Sequence, residues 1–174
     1  MKFDLCDLLN KKLIPKKELD RVFTQSMSAS AEMDYTFLCF EEPYLEALKY
    51  VDKDSIIIDL GCSYAAQSFY FTKNKYIGID LPMPSSDNEI RFTPPNAEFY
   101  IMSIQNFIHN ILPTLDLDMD HVIAICSAVP DEEARELVKE TFPNYIDWYP
   151  GHSMTINISK REIMEELEDD FNKE

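Results

Sequence analysis

Apolar positions along this chain alternate between a spacing of three to four residues and short continuous runs, and the switches between them mark out helices and strands in turn. Leu5, Leu8, Leu9 and Leu13 recur at helical spacing, and Pro15 sits where a second helix begins, with Leu19, Val22 and Phe23 on one face. The small, polar stretch from Ser26 to Ala31 reads as a loop. Glu41-Glu42-Pro43 opens a third helix with Tyr44, Leu45, Leu48 and Val51 inward. Ile56 to Leu60 is a β-branched apolar run without alternation, which predicts a strand covered on both faces, hence a parallel sheet flanked by helices.

Past Gly61 the pattern predicts a short helix over Ala65 to Lys73, a second strand over Tyr76 to Leu81 and a third over Glu98 to Met102. Residues 82–97 hold Pro82, Pro84, Pro94 and Pro95 with Ser85, Ser86, Asp87 and Asn88, the composition of an extended surface loop. Ile104, Phe107, Ile108, Ile111 and Leu112 give an amphipathic helix stopped by Pro113, and Val122 to Cys126 is the fourth strand. Pro130-Asp131 starts a helix with Ala134, Leu137 and Val138 inward. Tyr145 to Tyr149 and Met154 to Ile158 flank Pro150-Gly151 as two late strands. A last helix begins at Ser159, at capping-box spacing from Glu162, and buries Ile163, Leu167 and Phe171. The expected class is α/β, a doubly wound, mostly parallel sheet preceded by N-terminal helices. At 174 residues one domain is expected: a helical extension or lid over 1–52, the sheet core over 53–158 and an acidic helix over 159–174.

Charge narrows the partners. With 32 acids against 16 bases the formal net charge is -16, which repels a polyanion and disfavours nucleic acid as a substrate. Lys11, Lys12, Lys16 and Lys17 gather near the start, and Glu162, Glu165, Glu166, Glu168, Asp169, Asp170 and Glu174 near the end, as solvated helix faces do. No apolar run approaches the length of a membrane span, and Met1-Lys2-Phe3-Asp4 does not open a secretory signal, so a cytoplasmic protein is expected. Cys6, Cys39, Cys62 and Cys126 have no metal-binding spacing, and neither disulfides nor a metal site are implied.

Candidate chemistry collects where glycine does. The chain has three glycines, and Gly61 ends the first strand while Gly78 lies inside the second, two residues before Asp80. In doubly wound sheets ligands bind beyond the first strand's carboxyl end, where a glycine lets the backbone turn and admits a ligand to main-chain amides. An acid about 20 residues on, here Asp80, accepts hydrogen bonds from a ribose diol in such sites. Gly61-Cys62-Ser63-Tyr64-Ala65-Ala66 aligns as a weakened GxGxxG or, with Asp59 in front, as a weakened DxGxGxG. Asp59 weighs against a pyrophosphate and so against a nicotinamide dinucleotide, whereas a sulfonium with an amino group favours a carboxylate nearby. Simpler roles stand beside these: Asp59 as a helix N-cap, Asp80 as a turn former before Leu81-Pro82, and Cys62 as a small packing residue rather than a nucleophile. Tyr35, Phe37, Phe40, Tyr64 and Trp148 are candidates for an acceptor pocket or for the core. His109 and His121 read as surface or strand-edge residues, and His152 in the Pro150-Gly151-His152 turn is the one candidate for a pocket mouth.

Taken with the helices before the first strand, residues 41–150 resemble the class I S-adenosylmethionine-dependent methyltransferases, a Rossmann-like superfamily. The resemblance runs through Ile56-Ile57-Ile58-Asp59-Leu60-Gly61-Cys62, Tyr76-Ile77-Gly78-Ile79-Asp80-Leu81, Glu98-Phe99-Tyr100-Ile101-Met102-Ser103 and Asp120-His121-Val122-Ile123-Ala124-Ile125. It implies that Asp59, Gly61, Cys62 and the Ser63 to Ala65 turn hold the methionine part of S-adenosylmethionine, that Asp80 holds the ribose, and that Leu81 packs on the adenine. Ser103 stands where many members have an Asp bonded to the adenine amino group, with Gln105 as a possible substitute, and Ser127 would face the methyl group. Ser63 and Ala65 replace two family glycines; whether those positions need positive φ or only small side chains is open at this point. No Asn-Pro-Pro-Tyr type motif follows the fourth strand, which sets DNA base methylation aside. Two functions are therefore expected in competition: methyl transfer to a small molecule or a protein, and a catalytically inactive methyltransferase-like domain that binds and regulates a basic partner protein. No catalytic residue is assigned.

Overall fold

The computed structural model describes residues 12–26, 40–82 and 91–159. Its centre is a six-stranded sheet in the order β3-β2-β1-β4-β5-β6, built from β1 Ile56–Leu60, β2 Lys75–Asp80, β3 Ala97–Ile101, β4 Val122–Ser127, β5 Tyr145–Trp148 and β6 Thr155–Asn157. The first five strands run parallel, and β6 returns antiparallel to β5 across the Pro150-Gly151 turn. The protein is thus an α/β chain with a mostly parallel sheet, as the unalternated apolar runs require: β4 is buried along its whole length and β1 along all but its first residue.

Alternate strand residues feed two hydrophobic clusters. Ile58, Leu60, Ile77, Ile79, Ala124 and Cys126 pack with Phe107, Ala134 and Val138. Ile57, Tyr76, Ile123, Ile125 and Ile146 pack instead with Tyr44, Ala47 and Phe71. The two-residue period of a strand puts these sets on opposite faces of the sheet.

Helices α1 Lys16–Ser26, α2 Glu42–Leu48, α3 Ile104–Asn106 and α4 Glu132–Thr141 start where the sequence places their signals. Pro43 occupies the first turn of α2, where its missing N–H costs nothing. The Ser103 hydroxyl accepts from the Asn106 amide at 3.1 Å to cap α3, and Asp131 accepts from the Ala134 amide at 3.2 Å to cap α4, with Glu132 and Glu133 suiting its positive end.

Several expectations change in detail. In α2 the inward residues are Pro43, Tyr44 and Ala47, while Leu45 and Leu48 are 40% and 37% exposed, because a helix of two turns turns only one narrow stripe to the sheet. The stretch after Gly61 is a 3₁₀ helix over Ala66–Phe71, entered through a left-handed Ala65. The helix begun by α3 widens into a π-helix over Phe107–Ile111, with the Leu112 amide bonded to the Phe107 carbonyl, before a 3₁₀ turn at Leu112–Thr114. Pro113 has no N–H for the His109 carbonyl and crowds it, so the regular ladder cannot continue there. Leu13 lies in a turn before Pro15, and α1 runs through Ser26, which the sequence assigns to a loop. The first predicted helix over residues 1–11, the loop from 27 to 31, the side chain of Phe23, residues 83–90 of the proline-rich stretch and the helix after Ser159 lie outside the described residues or side chains. No helix among the described residues is long and apolar enough to cross a membrane.

Gly78 sits in the middle of β2 for a steric reason. A Cβ there would lie 2.7 Å from the Phe99 ring and 2.9 Å from the Cys62 sulfur, so the missing side chain is the space that the turn after β1 occupies. Gly78→Ala is expected to destabilise the fold by roughly 1–3 kcal/mol, the usual cost of overpacking. Urea unfolding measures it, and a variant as stable as the wild-type protein contradicts this packing.

Candidate functional site

The chain leaves β1 without leaving β2. The amides of Gly61 and Cys62 both donate to the Ile79 carbonyl, at 2.8 and 3.1 Å. Gly61 then takes φ +84°, and a Cβ on it would lie 2.9 Å from Val129 and 3.2 Å from the Ser127 carbonyl. Glycine is required there by both backbone angle and space. The next two bends are made without glycine: Ser63 has φ 49° and Ala65 φ 57°. Both positions therefore need left-handed backbone and not merely a small side chain. Ala128, just past β4, is left-handed as well at φ 54°.

A cavity of about 420 Å³ opens between these strand ends, at the point where strand order reverses from β1 to β4, and its size falls within the range of small-molecule sites. Gly61, Cys62, Ser63, Asp80, Leu81, Ser103 and Ser127 all line it. Asp80, the last residue of β2, has its carboxylate fixed by two main-chain donors. The Ser63 amide bonds Oδ2 at 2.6 Å and the Leu81 amide bonds Oδ1 at 2.7 Å. A carboxylate has about four acceptor positions, so roughly two remain for a ligand. Leu81 beside it is 59% exposed and offers an apolar surface. Ser103 lines the cavity with its hydroxyl oxygen engaged as the α3 cap, and Gln105 is also in the wall but donates its amide to Asp131 at 2.9 Å.

Asp59 and Ala65 do not line the cavity. Asp59 is fully buried one layer behind it and accepts from the Tyr44 hydroxyl at 3.0 Å, from the Gln67 amide at 2.7 Å and from the Tyr76 hydroxyl. Tyr44 and Gln67 stand between Asp59 and the cavity, and both contribute to its wall. Asp59 caps no helix and does not reach the cavity; it anchors side chains that do line the space. Burial raises its carboxyl from the ordinary 3.8 to about 6, against the lowering effect of the bonds from Tyr76, Gln67 and Tyr44. Burial likewise pushes the Cys62 thiol well above its usual range, with the charges of Asp59 and Asp80 adding to the effect. Cys62 is fully buried and packs in the core with Ile57, Tyr76 and Phe71.

Of the aromatic candidates, Phe40 lines the cavity and Trp148 lies behind it with ring centroids 5.0 Å apart. Tyr64 is outside the wall, and Tyr35 and Phe37 are outside the described residues. None of the three histidines lines the cavity, and His152 lies instead against the Tyr149 ring. Sequence reasoning missed Tyr44, Gln67 and Asp131 as wall residues. Gln67 carried a signal, a polar side chain at a buried position amid Ala65, Ala66, Phe69 and Phe71; Asp131 carried another, an N-cap directly after the fourth strand.

Comparison with protein-family models, with curated proteins and with solved structures gave no match, so the reading of this cavity rests on its own geometry.

Between about pH 4 and pH 6 the folded chain keeps a proton on Asp59 that the unfolded chain has released, so this group's contribution to stability falls as pH rises through that window. The wild-type protein is therefore expected to lose stability relative to Asp59→Asn from about pH 4 to about pH 6, with no further relative change above it. Urea unfolding at a series of pH values reads this, and a pH-independent difference between the two proteins contradicts it.

Proposed function

We propose that this cavity binds an adenosyl ligand with a cationic end, S-adenosylmethionine, and that the protein is a methyltransferase acting on a small molecule or a protein. The proposal includes the finer description of the fold as a doubly wound, Rossmann-like sheet with N-terminal helices. The observation that carries it is the Asp80 carboxylate, aimed by the Ser63 and Leu81 amides at the crevice past β1 with acceptor positions to spare. A carboxylate held in this way suits the two hydroxyls of a ribose. Leu81, Met102 and Ile104 supply an apolar wall next to it, which suits a purine base. Charge supports a cation over a pyrophosphate: the described lining holds Asp80 and Asp131 and no Lys, Arg or His, with Asp59 behind it. Gly61 adds a cradle that a Cβ would fill.

Bound S-adenosylmethionine supplies an electrophilic methyl on its sulfonium. The residues of this chain have the simpler task of holding that ligand and an acceptor in line and keeping water out, which accounts for much of the rate in a reaction that needs no strong base. Asp80 would hold the ribose end, with the Gly61–Ser63 backbone and Ser127 bordering the other end and Phe40 and Tyr44 in the wall. None of the described side chains of α1 lines the cavity. Within the 1–52 extension the described wall receives Phe40 and, from α2, Tyr44.

A second reading follows from the net charge of -16, which favours a basic protein partner bound by a domain without catalysis. Calorimetric titration with S-adenosylmethionine and S-adenosylhomocysteine, with NAD as control, separates the two. Micromolar binding of the first pair is expected, and Asp80→Ala should weaken it by on the order of 1 to 3 kcal/mol through loss of charge-assisted hydrogen bonds. Absence of binding at millimolar ligand overturns the methyltransferase reading and leaves the partner-binding one; unchanged affinity in a folded Asp80→Ala protein overturns the ribose assignment.

A further inference from the structure

Ser63 and Ala65 pose a physical problem. Left-handed backbone disfavours any residue with a Cβ, and non-glycine residues persist there only where their surroundings over-determine the conformation. The surroundings are visible. On one side of Ser63 the amide is bonded to Asp80; on the other its carbonyl accepts from the Arg91 side-chain Nε at 3.1 Å. The peptide between Tyr64 and Ala65 is held at both ends, its carbonyl by the Phe92 amide at 2.8 Å and its N–H by the Cys62 carbonyl at 2.8 Å. Beyond Ala65 the carbonyl accepts from the Ser68 amide at 3.0 Å. Both peptide groups flanking each strained residue are therefore pinned.

Two of these bonds come from Arg91 and Phe92, and that pair is itself anchored. Phe92 is fully buried with its ring edge-on to Phe69, and Arg91 is 3% exposed. The Arg91 carbonyl accepts from the Arg21 guanidinium of α1. Glu18, also on α1, pairs with that guanidinium at 2.7 Å and accepts from the Thr93 amide at 3.0 Å. A continuous chain of bonds thus runs from α1 through Arg91 to the Ser63 turn, and neither Arg21 nor Arg91 lines the cavity.

We infer that Arg91 is a positioning residue for ligand binding: with Phe92 it holds Ser63 and Ala65 in the left-handed conformation that glycines would adopt unaided, and α1 sets ligand affinity through Arg21 and Glu18 without touching the ligand. The inference rests on the reading that the Gly61–Ala65 turn holds an adenosyl ligand. Without the clamp the turn populates right-handed or extended backbone at Ser63, and affinity falls by the fraction that remains competent.

The test is titration of S-adenosylhomocysteine into wild-type protein, Arg91→Met, Ser63→Gly and the double variant, each checked for folding by circular dichroism and urea unfolding. Arg91→Met is expected to weaken binding about tenfold. Ser63→Gly is expected to recover most of the loss in the Arg91→Met background, measured against Ser63→Gly alone, because glycine reaches positive φ without the clamp. A purely structural Arg91 lowers the urea midpoint and leaves the affinity of the folded protein unchanged; that result, or a failure of Ser63→Gly to rescue, overturns the inference while leaving the ligand assignment intact. If Arg91→Met does not fold, Arg21→Gln decides in its place: a weaker dissociation constant in a folded protein supports the clamp, and an unchanged one overturns it. Wild-type protein that binds no S-adenosylhomocysteine overturns the ligand assignment and the inference together.

Discussion

The bond from the Ser63 amide to the Asp80 carboxylate, 2.6 Å long, joins the turn after one parallel strand to the tip of the next, and most of the cavity's geometry follows from it. It forms because β1 and β2 are in register with Leu60 opposite Ile79, so that the Gly61 and Cys62 amides still reach the Ile79 carbonyl as the chain turns. Gly78 leaves room for Cys62 to sit on the sheet, and Gly61 makes the bend toward Ser127 and Val129. With those two positions clear, the first amide of the turn that is free of the sheet points at Asp80 and fixes the carboxylate's orientation. A charged acceptor on a main-chain donor is among the stronger hydrogen bonds a protein makes, and here it sets both the shape of the turn and the direction in which the remaining carboxylate lone pairs face.

Behind this turn lies a group costly to bury, the Asp59 carboxylate. Burial of an ion is tolerated only where donors surround it, and Tyr44, Gln67 and Tyr76 bring those donors from α2, from the 3₁₀ helix and from β2. The Gln67 amide also bonds the Cys62 carbonyl at 2.8 Å, so the same side chain ties the anchor to the turn. Removing any one donor leaves the buried carboxylate short of a partner, so all three side chains are tied to this anchor behind the cavity wall. On the other face of the sheet Asp147 has a comparable place, buried and paired with Arg135 at 2.9 Å and Lys139 at 3.5 Å, and it fixes α4 against β5.

The sheet was the most legible part of the chain. Unalternated runs such as Ile56–Leu60 and Val122–Cys126 can be satisfied only by burial on both faces, and their positions shifted by one residue at most. Helix faces were less legible where the helix is short: Leu45 and Leu48 are as apolar as Tyr44 and Ala47, and only the sheet's position decides which of them it covers. The π-helix at Phe107–Ile111 has a local cause in Pro113, but apolar spacing alone fits an ordinary helix equally well. In the site, Gly61 and Asp80 were marked by glycine scarcity and strand ends. Asp59 was marked too, but its direction was not, since a strand's two-residue alternation turns it away from the crevice and toward Tyr44 and Gln67. The clamp from Arg91 was invisible because it joins residues 28 positions apart through a main-chain carbonyl, a contact with no spacing rule.

The most direct test of the ligand assignment is an amide-resolved nuclear magnetic resonance titration of the folded protein with S-adenosylhomocysteine. The account predicts saturable shifts centred on the amides of Gly61, Ser63 and Leu81, because two of these donors hold the carboxylate that would take the ribose and the third borders the cradle beside it. Shifts confined to other parts of the molecule, or none at saturating ligand, would contradict it.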